Sequence, residues 1–147
     1  MKKYLVLLGI VAVGLFAVWY YARHPLQTTV TIRGITYAVD VVITPKEKEV
    51  GLGFRDSLEA NRGMLFVFDT KALHPFWMRN MRFPIDILWI DDRTIVDISK
   101  HVPPSDKPVG ELPIYHPTKP ADKVLEIAAG QADEYGFAIG NIVSIKN

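Results

Sequence analysis

Residues 29–43, TVTIRGITYAVDVVI, decide the fold class of this chain. Apolar and polar side chains alternate through residues 29–33 and again through residues 35–43, and Gly34 separates the two runs. Alternation with a period of two is typical of a β-strand with one buried face, and a glycine between two such runs is typical of a tight turn. The stretch therefore predicts a β-hairpin.

The chain from residue 28 onward adds further short strands and two short helices. Residues 44–47, Thr-Pro-Lys-Glu, combine an N-cap threonine, a proline at the first helical position and a glutamate three residues after the cap, which predicts a short helix. A second hairpin is predicted around residues 91–93. Further strands are predicted at residues 64–68, 76–78, 123–127 and 142–145, and a helical turn within 129–135. This pattern predicts a mainly β fold for residues 28–147, a compact β-sandwich or barrel-like domain with one or two short helices.

An uncharged segment precedes this domain. Residues 4–22 contain no charged side chain, and a helix of that length, at about 1.5 Å per residue, spans roughly the 30 Å hydrocarbon core of a membrane. Lys2 and Lys3 favour an orientation with the N-terminus inside, and residues 19–21 are aromatic, as suits the lipid–water boundary. We predict a single-pass signal anchor over residues 1–23, a linker over 24–27 and a domain on the periplasmic side of the cytoplasmic membrane. A cleaved signal peptide is the alternative.

Composition excludes several classes of function. After residue 23, fourteen basic residues stand against sixteen acidic ones, a formal charge of −2 without a clustered basic face, so nucleic acid is not an expected partner. The absence of cysteine excludes disulfides and thiolate nucleophiles. The sequence has no His-x-x-x-His pair, Gly-rich phosphate loop or Gly-x-Ser-x-Gly elbow, so we expect neither a metal nor a cofactor. Methionines at 64, 78 and 81 fit no metal-binding spacing and are assigned to the core.

Asp86 is the titratable residue with the most informative surroundings. Its predicted strand, residues 85–90, is apolar on both faces, so Asp86 lies among Leu88 and Ile90 instead of along a solvent-facing stripe. A buried carboxylate without a partner is costly, so it must find a cation or backbone donors, or raise its pKa. We expect a structural ion pair, a turn-anchoring hydrogen bond or a carboxylate that faces a ligand. The candidate partners are Arg55, Arg79 and Arg82.

Residues 76–80, FWMRN, place aromatic, sulfur, cationic and amide groups next to one another. If the segment is extended, Trp77 and Arg79 face one way, opposite to Phe76, Met78 and Asn80. Trp77 beside Arg79 suits a groove for a sugar or a peptide, through stacking and paired hydrogen bonds. The alternative is a segment with one side in the core and the other on an ordinary surface.

Five motifs in a fixed order carry a family resemblance: GLGFR at 51–55, NRGMLF at 61–66, FWMRN at 76–80, PIDI at 84–87 and VLE at 124–126. In this order the chain resembles the uncharacterised bacterial and archaeal family named domain of unknown function 192, over roughly residues 28–144. The resemblance implies a small, mostly β single domain behind a signal peptide or anchor.

The resemblance also supplies a shortlist of signature positions. These are Arg55, Met64, Trp77, Met78, Asn80, Asp86 and Glu126. At one position the chain departs from the family, because Gly53 stands where a methionine is usual. If that methionine lines a pocket, the pocket of this chain is more open or is filled by a neighbouring side chain.

We predict a non-catalytic binding or accessory module for a small polar molecule, a glycan or a polypeptide segment, held near Arg55, Trp77, Asn80 and Asp86. The alternative is a hydrolase of an envelope polymer, with Asp86 or Glu126 as general base and Arg55 stabilising the developing negative charge. A third hypothesis is that the signature residues serve only the fold.

Overall fold

The computed structural model describes residues 27–147, and the predicted N-terminal hairpin is its first feature. Strand β1 (Thr29–Ile32) pairs antiparallel with β2 (Ile35–Val42). Arg33 and Gly34 connect them with φ angles of 50° and 86°, the positive values that tight two-residue hairpin turns favour. The hairpin prediction is confirmed.

Helix α1 (Pro45–Val50) begins where the sequence predicts a helix. The Glu47 backbone N–H donates to the Thr44 hydroxyl at 3.3 Å, and the Thr44 backbone N–H donates to the Glu47 carboxylate at 3.0 Å. This reciprocal capping box satisfies two backbone donors at the start of the helix. Gly51, with φ of 51°, ends the helix after six residues.

The remaining elements follow a long third strand, β3 (Arg62–Ala72). They are β4 (Phe76–Trp77), β5 (Ile85–Asp91), β6 (Thr94–Val102), a 3-10 helix (Val109–Glu111), β7 (Ile114–Tyr115), β8 (Ala121–Ala128), α2 (Gln131–Glu134) and β9 (Val143–Lys146).

Seven strands form one sheet in the order β6-β5-β8-β3-β2-β1-β9, and β4 pairs separately with β7. Within the sheet β2 and β3 are parallel, with α1 in the connection between them, and the other neighbours are antiparallel. The sheet curls into a half-barrel, and a bridge between Thr94 and Ile142 links the start of β6 to the chain just before β9. The mainly β prediction and the two short helices are confirmed, and a single curled sheet is the architecture.

Each face of the sheet carries its own apolar core. On one face Leu65, Leu88 and Leu125 pack with Ala132 of α2, and we call it the α2 face. On the other, Phe66, Ile87, Trp89 and Val124 pack with Phe76 of β4, and we call it the β4 face. Because alternate side chains of a strand point to opposite faces, neighbouring residues of β5 and β8 belong to different cores.

The predicted anchor, residues 1–23, and residues 24–26 of the predicted linker lie outside the described residues. Within residues 27–147, no helix is long and apolar enough to cross a membrane.

Candidate functional site

A cleft of about 570 Å³ opens on the β4 face, bordered by α1 and the β4–β7 pair. Four aromatic residues line it: Phe66, Phe68, Phe76 and Trp77. The rings of Phe66 and Phe76 meet edge to face with their centroids 4.9 Å apart, and Phe76 meets Phe68 in the same way at 6.4 Å. These contacts hold the rings in a preferred aromatic geometry, so the wall of the cleft is preformed.

Glu126 of β8 is the buried acidic residue of this cleft. Met64 of β3 and Ile87 of β5 lie opposite it on the neighbouring strands, and the residue is only 5% exposed. Burial raises the pKa of the Glu126 carboxyl from its usual 4.5 to about 8, and the positive charge of Arg55 opposes this rise. The carboxyl group is therefore mostly protonated at neutral pH.

Glu126 also lacks a hydrogen-bond partner among residues 27–147. The influences on its pKa are desolvation and the charge of Arg55, without any hydrogen bond from a side chain or the backbone. The Glu126 oxygen atoms are not among the fully enclosed side-chain atoms of the described residues that lack a partner, so they are open to the cleft, where a ligand can bond to them. A neutral carboxyl group at this place is able to donate one hydrogen bond and accept another.

Charged side chains surround the mouth of the cleft. The ammonium nitrogen of Lys48 lies 4.3 Å from the ring centroid of Phe68, a cation–π contact. The guanidinium group of Arg79 donates to the carboxylate of Glu49 at 2.9 Å. Trp77 is 40% exposed at the same rim. Trp77 and Arg79 both line this cleft.

Asp86 lies on the other side of the sheet, on the α2 face, and is fully buried. Its two oxygen atoms accept hydrogen bonds from the backbone N–H groups of His101 and Ala132, each at 2.8 Å. The carboxylate thus ties the end of β6 and the start of α2 to β5. This is the anchoring alternative of the sequence analysis, since backbone donors from two other elements satisfy the carboxylate.

None of the three candidate arginines pairs with Asp86. Arg55 donates to Asp40 at 3.0 Å, and Asp40 also accepts from Arg62 at 2.9 Å. Arg79 pairs with Glu49 and Arg82 with Asp56. The aspartate needs no guanidinium because backbone donors occupy both of its oxygen atoms, and such donors leave no signature in the sequence.

The other candidates lie apart from the cleft. Met64 and Met78 are buried in the core of the β4 face, at 3% and 1% exposure. Asn80 is an exposed turn residue with φ of 58°, beside a second, shallower cleft of about 410 Å³. Trp77 and Glu126 therefore both line the cleft, and Met64 lies opposite Glu126 in the core beneath it. Arg55, Met78, Asn80 and Asp86 are not among the residues that line the cleft.

Sequence reasoning missed most of the aromatic wall. Phe66 and Phe68 follow Met64 at intervals of two, which puts all three on one face of β3. The alternation along β3 indicates that these three side chains share a face. Only the pairing of β3 with β8 shows that Glu126 lies on that same face. Among residues 27–147, no three His, Asp or Glu side chains lie close enough together to hold a metal ion.

Two glycines of the signature motifs mark close backbone contacts. A Cβ atom at Gly63 would lie 2.9 Å from the carbonyl oxygen of Glu126, across the β3–β8 pair. A Cβ atom at Gly53 would lie 2.8 Å from the carbonyl oxygen of Val50 and 3.2 Å from that of Arg79. Gly53 therefore permits tight packing between the end of α1 and the turn after β4, outside the lining of the cleft.

Comparison with known proteins gives a family and two similar structures. The model of the family DUF192, described as "Uncharacterized ACR", matches residues 28–145. A crystal structure of a protein of unknown function from Novosphingobium aromaticivorans DSM 12444 is 30% identical, with a TM-score of 0.72, over 80% of this chain and 83% of that one. A protein from Sinorhizobium meliloti 1021, described as a "putative transcription regulator", is 28% identical, with a TM-score of 0.72, over 81% of this chain and 93% of that one. None of the curated proteins is significantly similar to this chain.

Proposed function

The chain belongs to the DUF192 family, whose description assigns no activity, and we propose that its domain is a binding module with its site in the cleft on the β4 face. The observation that carries this proposal is Glu126, a buried carboxyl group without a hydrogen-bond partner in an aromatic cleft. A preformed apolar pocket with a few polar groups and a perturbed titratable residue is the usual form of a small-molecule site.

The ligand that fits this cleft is amphipathic. The sequence predicts a small polar molecule, a glycan or a polypeptide segment held by polar signature residues, but most of those residues lie elsewhere. Aromatic side chains dominate the cleft instead, so we propose a small organic molecule whose apolar body packs against Phe66 and Phe76 and whose polar group meets Glu126. One ring that buries roughly 150 Å² gains about 4 kcal/mol before the entropy lost on binding. Because a dissociation constant of 1 mM corresponds to about 4.1 kcal/mol net, we expect one-ring fragments to bind with dissociation constants above about 1 mM.

A fragment screen tests the binding site. The full chain in a nonionic detergent is screened with small aromatic molecules by ligand-observed NMR, and Trp77→Ala should weaken the hits several-fold. Phe54→Ala is the matched control, because Phe54 is an aromatic residue with 61% exposure that lies outside this cleft. The assignment would be contradicted if both variants lost binding equally, or if Trp77→Ala left the affinity of the hits unchanged.

A hydrolase remains the second candidate, and the pKa of Glu126 is the observation that favours it. A carboxyl group with a pKa of about 8 in a cleft is suited to general acid catalysis at neutral pH rather than to the general base role expected from sequence. Asp86 has no access to a substrate, and Arg55 is engaged by Asp40. Turnover of a panel of esters and glycosides that falls above pH 8, and that Glu126→Gln abolishes, would establish this candidate over simple binding.

We also propose that the domain is tethered to the periplasmic face of the cytoplasmic membrane through residues 1–23. Support comes from the uncharged residues 4–22 and the flanking Lys2 and Lys3. In spheroplasts of a bacterial host that expresses the full chain, added protease should digest the domain, and carbonate washing should leave the intact chain in the membrane. Recovery of a shortened, soluble chain from the periplasm would support the cleaved alternative.

Nucleic acid is not part of this proposal. The protein from Sinorhizobium meliloti is described as a "putative transcription regulator", but the charge of this chain after residue 23 is −2. Binding to the phosphate backbone needs a clustered basic surface.

A further inference from the structure

We propose that the ligand of the cleft is an organic cation, an ammonium or quaternary ammonium group on an apolar body, with Glu126 as its counter-ion. This inference rests on the proposed function and names the chemical class of the ligand. It joins three observations: the aromatic wall, the unpartnered carboxyl group and the position of Lys48.

The aromatic wall is the first observation. Phe66, Phe68, Phe76 and Trp77 line one cleft. The face of an aromatic ring carries negative charge density and attracts cations, and walls built from several rings recognise quaternary ammonium groups, which cannot donate hydrogen bonds. The ring faces themselves repel an anion, and the positive charges of the cleft, Lys48 and Arg79, lie at its mouth, where Arg79 is paired with Glu49.

The carboxyl group is the second observation. Glu126 is 95% buried (5% exposed) and has no hydrogen-bond partner among residues 27–147. A neutral ligand would leave the carboxyl protonated and would meet only its proton or its carbonyl oxygen. A cation would stabilise the ionised carboxylate and so offset the cost of removing that charge from water. Among the possible ligands, a cation therefore forms the strongest interaction with a carboxyl group at this place.

Lys48 supplies the third observation. Its ammonium group lies 4.3 Å from the centroid of the Phe68 ring, so the wall already holds a cation at the mouth of the cleft. Within residues 27–147, Lys48 has no carboxylate within 4.0 Å, whereas the neighbouring Glu49 is engaged by Arg79. Lys48 therefore competes with a cationic ligand for the same surface, and its removal should strengthen binding.

The pH dependence of binding follows from the charged groups that face Glu126. These are Lys48 and Glu49 of α1, Arg55 of the following loop, Arg79 after β4 and His116 after β7. Glu126 is the group among these whose pKa is raised into the tested range, to about 8. Since the cation binds the ionised carboxylate, its affinity should rise as the pH rises toward the pKa of Glu126 and should then level off. The steepest possible rise is about tenfold per pH unit.

The experiment compares three probes of the same shape and different charge. Choline, 3,3-dimethyl-1-butanol and 3,3-dimethylbutanoate are cationic, neutral and anionic, and none of the three changes its charge between pH 6 and 9. Each is titrated against the full chain in a nonionic detergent by ligand-observed NMR at pH 6, 7, 8 and 9. We expect choline to bind at least tenfold more tightly than the alcohol at pH 8 and to weaken several-fold at pH 6.

Two variants assign the effect to the proposed residues. Glu126→Gln keeps the size and the neutral state of the side chain, so it should fold, and it should remove both the preference for choline and the pH dependence. Lys48→Met should increase the affinity for choline at every pH.

Failure of this inference is distinguishable from failure of the binding site. If the alcohol and choline bind equally at all pH values, or if the anion binds best, the cation proposal is overturned while the cleft remains a binding site. If no probe binds but the aromatic fragments still bind and respond to Trp77→Ala, the cation proposal is again overturned alone. Loss of all fragment binding overturns both.

Discussion

Asp86 and Glu126 lie on neighbouring antiparallel strands, yet their carboxyl groups point to opposite faces of the sheet. In the register of β5 and β8, Glu126 lies opposite Ile87, whereas Asp86 lies opposite Ile127. This offset of one residue puts Asp86 on the α2 face, where two backbone N–H groups satisfy it, and Glu126 on the β4 face, where none does. Both acids are buried in the sheet, at 0% and 5% exposure, and their surroundings give them different roles.

The anchoring role of Asp86 predicts a loss of stability. In Asp86→Asn, one amide N–H of the new side chain faces a backbone N–H donor, so either His101 or Ala132 loses its hydrogen bond inside the protein. We expect the free energy of unfolding to fall by about 2–3 kcal/mol, measured by urea denaturation at pH 7. Asp133→Asn, at a half-exposed side chain, should lower the free energy of unfolding by clearly less. Because Asp86 lies outside the cleft, fragment affinity should not change, and a fall in affinity with folding intact would contradict this assignment.

Burial of Glu126 predicts a pH-dependent stability that its amide variant lacks. The folded-state pKa of about 8 lies above the usual 4.5, so between these values the folded protein keeps a proton that the unfolded chain has released. Stability from this group is therefore complete below about pH 4.5 and is lost as the pH rises toward 8. Relative to Glu126→Gln, the wild type should lose on the order of 4 kcal/mol across this range, measured by denaturation at several pH values. Parallel pH profiles for both proteins would show that folding does not raise the pKa of Glu126.

Much of the local structure is predictable because its causes are local. The alternation around Gly34 predicts the β1–β2 hairpin, and the Thr44–Glu47 capping box predicts the start of α1. Burial of Asp86 is predictable as well, because its strand is apolar on both faces.

The candidate site is less predictable because its parts meet only through strand order. Phe66 and Phe68 on β3 share the cleft with Glu126 because β8 lies between β3 and β5, and the sequence contains no signal for that order. The partners of Asp86 are backbone groups from β6 and α2, and their residue types do not identify them. The chemical type of each side chain is known from the sequence, whereas the register of distant strands depends on the packing of the whole domain.

The close contacts around Gly53 predict that a larger side chain at residue 53 is unfavourable in this chain. A Cβ atom there would approach the carbonyl oxygen of Val50 to 2.8 Å, and backbone must shift to relieve that contact. We expect Gly53→Ala to lower the free energy of unfolding by about 1–3 kcal/mol, and Gly53→Met by at least as much. Gly110→Ala is the control, because a Cβ atom there has no neighbour within 4 Å. A Gly53→Met variant as stable as the wild type would mean that this backbone adapts freely to a side chain.

Arg55 provides a last prediction, because it acts on Glu126 through its charge while hydrogen-bonded to another residue. Its guanidinium group pairs with Asp40 at 3.0 Å and lowers the pKa of Glu126, against the larger effect of burial. Arg55→Gln should therefore raise the pKa of Glu126 above 8, measured by NMR titration of its carboxyl carbon. Stability should change by less than about 1 kcal/mol, because the side chain is 40% exposed.

Arg62→Gln separates this charge effect from the loss of an ion pair. Arg62 bonds to the same aspartate at 2.9 Å but has no resolved influence on Glu126. Its replacement should leave the pKa of Glu126 unchanged while removing a comparable surface interaction. If both variants shift the pKa equally, the effect comes from rearrangement around Asp40. If only Arg55→Gln does, Arg55 contributes to the site by lowering the pKa of Glu126, so that more of the buried acid is ionised and able to pair with a cation.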